Sequence, residues 1–107
     1  MATYATAIAI AIESKDPQLG LTTKQLCSLL EPHKTEVPIM VRSQNWRNGV
    51  RHTLSGNEGF YHKKNQSCLM PWRYVVEKLP KSTQSTLRKF QKLRQTEPDT
   101  DMVRWIV

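Results

Sequence analysis

Prolines and glycines are the feature that most restricts how this chain can fold. The 107 residues include six prolines and four glycines, and nine of these ten residues separate the chain into short segments: Pro17, Gly20, Pro32, Pro38, Gly56, Gly59, Pro71, Pro80 and Pro98. Proline interrupts helices and central strands, and both residue types favour turns. We therefore expect several short elements around one hydrophobic core, since a chain of this length fits one domain.

The charge balance favours a polyanionic partner. The chain has 16 Lys and Arg against 9 Asp and Glu, a net charge of +7. The cations concentrate in two segments, residues 42–64 with five cations and Glu58 as the one acid, and residues 81–94 with five cations and no acid. Two basic segments on one small domain are typical of nucleic-acid binding, although charge alone does not choose DNA over RNA or a membrane surface.

The apolar and cysteine content indicates an intracellular protein without a metal. No segment resembles a secretory signal or a membrane span of about 18 apolar residues. The two cysteines, Cys27 and Cys68, are predicted to be buried thiols in a reducing compartment. Five residues separate Cys27 from His33 and His62 from Cys68. Structural zinc sites use closer pairs, so we predict no metal and no cofactor.

The first segment, Ala5 to Ser14, leaves two structures open. Ile8, Ile10 and Ile12 alternate with alanine, which indicates a strand, whereas the alanines suit a helix that is buried on every side.

Two further helices are clearer. Thr22 and Gln25 have the spacing of a capping box, and Leu26, Leu29 and Leu30 would then face the core. We expect Pro32 to end this helix and Pro38 to keep the following connection irregular. Ser43 is a candidate cap for a third helix that runs to about Ser55, where Gly56 would end it.

The second half of the chain predicts a hairpin and a basic extension. Residues 60–62 and 72–76 are aromatic and β-branched and flank a polar turn at 63–67. Residues 82–94 are basic and amphipathic through Leu87, Phe90 and Leu93, consistent with a second wing or helix that follows phosphates, an import signal or a solvated helix. The tail, residues 97–107, is expected to dock on its own domain, although such tails also bind protein partners.

The predicted third helix has two chemically different faces. At about 100° per residue, Trp46, Val50 and Leu54 lie on one side, and a polar set lies on another: Asn48, Arg51, His52 and Ser55. Amide, guanidinium and imidazole groups can hydrogen-bond to base edges in a DNA groove. The same pattern also suits the solvated face of an ordinary amphipathic helix.

A family resemblance separates these alternatives. The segment Trp46-Arg47-Asn48-Gly49-Val50-Arg51-His52-Thr53-Leu54-Ser55 and the following Gly56-Asn57-Glu58-Gly59-Phe60 resemble the recognition-helix signature of forkhead domains. Thr3-Tyr4, the Ile8 to Ile12 segment and Leu21-Thr22 resemble the start of that domain, and Trp72 resembles the tryptophan of its last core strand.

The resemblance implies an α+β winged helix, a three-helix bundle with a small antiparallel hairpin, over residues 1–79. Residues 80–107 would form a basic and then acidic and apolar extension. It also implies that the first segment is helical. Asn48, Arg51 and His52 would contact bases of double-stranded DNA in the major groove. The predicted contacts to the DNA backbone are Tyr4, Arg47, Ser55, Lys63, Lys64, Arg73, Arg88 and Lys89.

Several residues depart from the family pattern. Thr53 stands where the family usually has asparagine, and Gly49, Gly56 and Gly59 replace serine, leucine and cysteine. Gly49 lies inside the predicted helix, where it costs about 1 kcal/mol relative to alanine but permits a close approach by a neighbouring surface. The predicted first wing is short and lacks glycine.

Two functions remain in competition. The first is sequence-specific binding of A/T-rich duplex DNA as part of a nuclear transcription regulator. The second is a divergent winged helix that mediates protein interaction or binds chromatin without sequence preference. No catalytic motif is present, and we expect no enzymatic activity and no small-molecule substrate.

Overall fold

The computed structural model describes residues 3–62 and 71–106. Six helices and one two-stranded sheet occur in these residues, and a single apolar core joins them. In chain order they are α1 (Tyr4–Lys15), α2 (Thr23–Leu30), α3 (Pro38–Val41), α4 (Trp46–Gly56), β1 (Phe60–Tyr61), β2 (Arg73–Tyr74), α5 (Lys81–Thr96) and α6 (Val103–Ile106). Single 3-10 turns lie at Glu31–His33 and Val76–Lys78. The predicted α+β winged-helix class is confirmed.

Helix α1 is the centre of the fold. Every residue from Ala5 to Ile12 is buried, because α2, α4, α5 and α6 all pack around this helix. Thr3 caps its first turn by accepting a hydrogen bond from the Thr6 backbone N–H. The alternation of alanine and isoleucine therefore does not reflect a strand. It reflects a helix without a solvent face, for which a periodic polar position is not needed.

Helix α2 begins as its sequence predicts. The Thr22 hydroxyl accepts from the Gln25 N–H, and the Gln25 side chain accepts from the Thr22 N–H, which completes the capping box. Leu26 and Leu30 are fully buried. The chain then tightens into the 3-10 turn that contains Pro32.

The connection to α4 differs from the prediction in two places. Pro38 does not keep the chain irregular, since it begins α3 at the first helical position, where its missing N–H has no helical partner to lose. Ser43 is not the cap of α4. The cap position is Asn45, whose N–H donates to the Ser43 hydroxyl at 3.2 Å, and no side chain caps the first turn of α4.

The hairpin is present and short. β1 and β2 are antiparallel, with Phe60 opposite Tyr74 and Tyr61 opposite Arg73. The predicted turn at 63–67 lies outside the described residues. Leu21 adds a bridge to Trp72 from the other side, and Gly20 permits it with a φ of 85°. A Cβ on Gly20 would lie 2.2 Å from the Trp72 carbonyl oxygen, so only glycine fits here.

The C-terminal extension is part of the core. Leu87 and Phe90 of α5 are fully buried, and the Thr83 hydroxyl shares a buried hydrogen bond of 2.9 Å with the Thr6 hydroxyl of α1. The Phe90 ring meets the Trp105 ring edge to face at 5.6 Å, and Met102 and Ile106 are also buried. The expectation that the tail docks on its own domain is confirmed, and α5 is not a fully solvated helix.

A polar cluster fixes the far end of α5. The Tyr74 hydroxyl and the Arg94 guanidinium both donate to Glu13, to its carboxylate and its backbone carbonyl respectively. The Gln91 side chain donates to the Tyr74 hydroxyl at 3.3 Å. Burial, reinforced by the hydrogen bond to Glu13, raises the pKa of Tyr74. Elements α1, β2 and α5 therefore meet at one set of charged and polar groups.

Candidate nucleic-acid interface

Helix α4 presents its two faces as the sequence indicates. Trp46, Val50 and Leu54 are buried against the core, whereas Asn48, Arg51 and His52 are exposed. The apolar side anchors the helix, and the polar side is open to solvent. This orientation is the one that base reading requires, and the predicted contacts of Asn48, Arg51 and His52 with bases stay predictions.

The exposed side chains of α4 are partly ordered by one another. Arg51 donates to the Asn48 side-chain oxygen at 3.3 Å. The Ser55 hydroxyl donates to the Arg51 carbonyl at 3.1 Å, and the Thr53 hydroxyl donates to the Gly49 carbonyl at 2.8 Å. Ser55 and Thr53 are thus bonded to their own helix, whereas Asn48, Arg51 and His52 retain unused donors and acceptors.

Gly49 lets the first helix reach the flank of α4. A Cβ on Gly49 would lie 2.6 Å from the ring of Tyr4, so the tyrosine packs on bare helix backbone. The Tyr4 hydroxyl donates to the Ile39 carbonyl at 3.4 Å and links α1 to α3. The expected close approach at this glycine is confirmed. Tyr4 is half-buried, and its contact with a DNA phosphate stays a prediction.

Arg47 is already engaged by an acid that sequence reasoning missed. Its guanidinium forms an ion pair with Glu31 and lies 4.6 Å from the centre of the Trp46 ring. Glu31 also accepts a hydrogen bond of 3.1 Å from Lys34, and this bond, with the Arg47 charge, lowers the pKa of the Glu31 carboxyl. No sequence pattern relates Glu31 to Arg47, because they lie on different elements, 16 residues apart.

An open cavity of about 860 Å³ separates α2 from α4. Its lining includes Glu31, Arg47, Arg51 and Lys24, together with the half-buried Cys27. Burial raises the pKa of the Cys27 thiol, whereas the nearby Arg51 and Arg47 act in the opposite direction. Cys27 was predicted to be buried and is only half-buried. Cys68 lies outside the described residues.

The other predicted backbone contacts are distributed over the surface. Arg73 is exposed on β2, with its Nε 3.5 Å from the Leu19 carbonyl. Arg88 and Lys89 are exposed on α5. Lys63 and Lys64 lie outside the described residues. Within residues 3–62 and 71–106, no three His, Cys, Asp or Glu side chains are placed to hold a metal ion.

A search for membrane spans in the described part of the chain finds no helix with the length and apolar character to cross a bilayer. Searches among curated proteins and among solved structures gave no match.

The comparison with protein families gives a match. The model of the Forkhead domain matches residues 1–85, which includes α1 to α4, the hairpin and the first turn of α5. The matched region covers most of the chain and contains both the exposed polar face of α4 and the contact between Tyr4 and Gly49. The chain therefore belongs to the forkhead family.

Proposed function

We propose that this protein binds double-stranded DNA in a sequence-specific manner, with α4 in the major groove. The observation that carries the proposal is the orientation of α4, whose apolar face is buried and whose Asn48, Arg51 and His52 face solvent. An exposed helix of this diameter fits the major groove, which is about 12 Å wide.

Family membership supplies the general part of this function. Forkhead domains are DNA-binding modules without enzymatic activity, and they occur typically in transcription factors of the nucleus. For this chain, we extend that to an A/T-rich site, a role in transcription regulation and a nuclear location.

The residues proposed to contact DNA divide into two roles, base reading and backbone binding. Asn48 offers both a donor and an acceptor, which suits adenine, and Arg51 suits guanine or a phosphate. His52 lies one residue beyond Arg51 on the same exposed face. Tyr4, Arg47, Ser55 and Arg73, with Lys63 and Lys64 of the predicted wing, are the proposed contacts to the backbone. These contacts would supply affinity without sequence preference.

Selection of bound duplexes from a random pool at near-physiological salt tests the proposal. We expect an enriched A/T-rich motif. Asn48→Ala should reduce the preference for that motif by about 1 to 3 kcal/mol while it leaves binding to unrelated duplexes intact. Lys63→Ala with Lys64→Ala should weaken all duplexes alike and make the salt dependence shallower by about one unit for each phosphate that the protein no longer neutralises.

A second candidate function is protein interaction or chromatin binding without sequence preference. Gly49 and Thr53 of α4 favour it. The Thr53 hydroxyl donates to the Gly49 backbone carbonyl of the same helix and is therefore not available as a donor to a base. A pool that yields no enriched motif from a protein that still binds duplex DNA would support this candidate and overturn the first.

A further inference from the structure

The exposed face of α5 carries a second cationic surface. Lys81, Arg88, Lys89 and Lys92 are all exposed, and at about 100° per residue they fall within an arc of about 100°. Thr83, Leu87 and Phe90, the buried residues, lie on the opposite side of the helix. No acid occurs in α5, and the nearest acids in sequence, Glu77 and Glu97, precede and follow it.

The contacts of α1 fix where this surface points. Tyr4 packs on Gly49 of α4, whereas the Glu13 carboxylate lies 3.5 Å from the Gln91 amide nitrogen and 4.0 Å from the Arg94 guanidinium of α5. Tyr4 and Glu13 are nine positions apart, which is two and a half turns, so their side chains leave α1 on opposite sides. Thr6, which bonds to Thr83 of α5, lies on the same side as Glu13.

Helices α4 and α5 therefore lie on opposite sides of α1. Neighbouring helices pack with their axes 8 to 10 Å apart, so the axes of α4 and α5 are roughly 16 to 20 Å apart. The buried residues of both helices belong to the core around α1, so each helix turns its polar face outward from that core. The α5 cations consequently face away from the duplex that α4 would read.

We propose that the α5 cationic surface, defined by Lys81, Arg88, Lys89 and Lys92, binds a second nucleic-acid duplex, so that one protein molecule bridges two DNA segments. This inference rests on the proposed function of α4. Along α5, Arg88 and Lys92 are about 6 Å apart and Lys81 and Arg88 about 10.5 Å apart. Phosphates advance by 3.4 Å along each strand, so these cations can meet different phosphates of one backbone.

The chemistry of this surface differs from that of α4. The four residues that define it supply long, flexible cations, with the Ser85 hydroxyl among them, and none of the four carries an amide or imidazole group. Binding at α5 is therefore expected to depend on salt and not on sequence. The predicted phosphate contacts of Arg88 and Lys89 belong to this second duplex.

A bridging assay tests the proposal with the full chain. A duplex carrying the selected motif is held on beads, the protein is added, and capture of a second, fluorescent duplex of unrelated sequence is measured. Arg88→Gln with Lys92→Gln should lower capture of the second duplex about tenfold and leave affinity for the bead-bound duplex within about twofold. Lys15→Gln with Arg104→Gln removes the same charge from exposed positions outside α5 and should retain capture.

Each outcome decides between the possibilities. Failure of the wild-type protein to capture a second duplex, although it binds the first, would overturn the bridging proposal and leave the function of α4 intact. Equal loss of affinity for both duplexes in the α5 variant would show that α5 and α4 contact the same duplex. If bridging survives in the α5 variant, the α5 cations do not bind the second duplex, and bridging is due to protein self-association. If capture depends on α5 but the selection yields no preferred motif, the α4 proposal is overturned and the bridging proposal stands.

Discussion

Helices α4 and α5 are both amphipathic, both border α1 and both turn polar residues to solvent, yet they are held in different ways. α4 has three buried apolar residues and a glycine in its middle. α5 has 16 residues, a buried hydroxyl pair with α1 and a charged cluster at its far end. The difference is in the kind of contact: α4, the helix proposed to read bases, packs on α1, α2 and β1, whereas α5, most of which lies outside the family match, is held to α1 by buried and partly buried polar contacts as well as by apolar packing.

Truncation of the α5 core is the largest expected effect. Phe90 is fully buried and contacts the Trp105 ring, so Phe90→Ala should lower the free energy of unfolding by about 3 to 5 kcal/mol. Urea denaturation measures it, and Lys89→Ala on the exposed face of α5 is the matched control, with an expected change within about 0.5 kcal/mol. A small effect of Phe90→Ala would mean that α5 is an appendage and would break the comparison.

The next largest effect on stability is expected at the contact between Gly49 of α4 and the Tyr4 ring. Gly49→Ala places a methyl group against the Tyr4 ring, and we expect the protein to lose about 1 to 3 kcal/mol in spite of the better helix propensity of alanine. In a Tyr4→Ala background the same substitution should instead stabilise the protein by about 1 kcal/mol.

Gly56→Ala is the control for this cycle. No atom lies within 4 Å of a Cβ at Gly56, so alanine there should be neutral or slightly stabilising with Tyr4 present. Thermal unfolding of the four proteins of the Tyr4 and Gly49 cycle gives the coupling. If Gly49→Ala has the same effect with and without the Tyr4 ring, close packing is not the reason for this glycine.

A smaller effect is expected at the polar cluster of α5. Tyr74→Phe removes a hydrogen bond to the Glu13 carboxylate and should cost about 1.5 kcal/mol, because Gln91 and Arg94 remain near Glu13. Tyr61→Phe, at the neighbouring exposed position of β1, is the control and should change stability little. Equal effects of the two substitutions would indicate that the cluster contributes nothing to holding α5.

The smallest expected effect concerns Arg47 in the first turn of α4. Glu31→Gln releases Arg47 from its ion pair and should raise affinity for duplex DNA about two- to fivefold, with little change in stability because the pair is largely exposed. Glu36→Gln changes the net charge equally and is the control, since Glu36 pairs with His33 and not with Arg47. Salt-dependent binding titrations measure both. A gain that persists in an Arg47→Gln background would show that the cause is overall charge or release of Lys34, the second partner of Glu31, and not release of Arg47.

Local signals in the sequence were sufficient where neighbours along the chain decide the structure. The capping box of Thr22 and Gln25 and the two faces of α4 were predictable for that reason. The short hairpin was predictable from its two aromatic and β-branched segments. Ser43 and Pro38 were interpreted wrongly, because a cap and a first helical residue differ by a few positions that propensity does not resolve.

Sequence alone thus determined the family, the exposed polar face of α4 and the basic character of residues 81–94, since each depends on residue type and spacing. Tertiary structure alone decided that Arg47 meets Glu31, that Tyr4 lies on Gly49, and that α5 lies opposite α4. The physical reason is that these contacts join residues from 16 to 81 positions apart, and packing of the core brings them together.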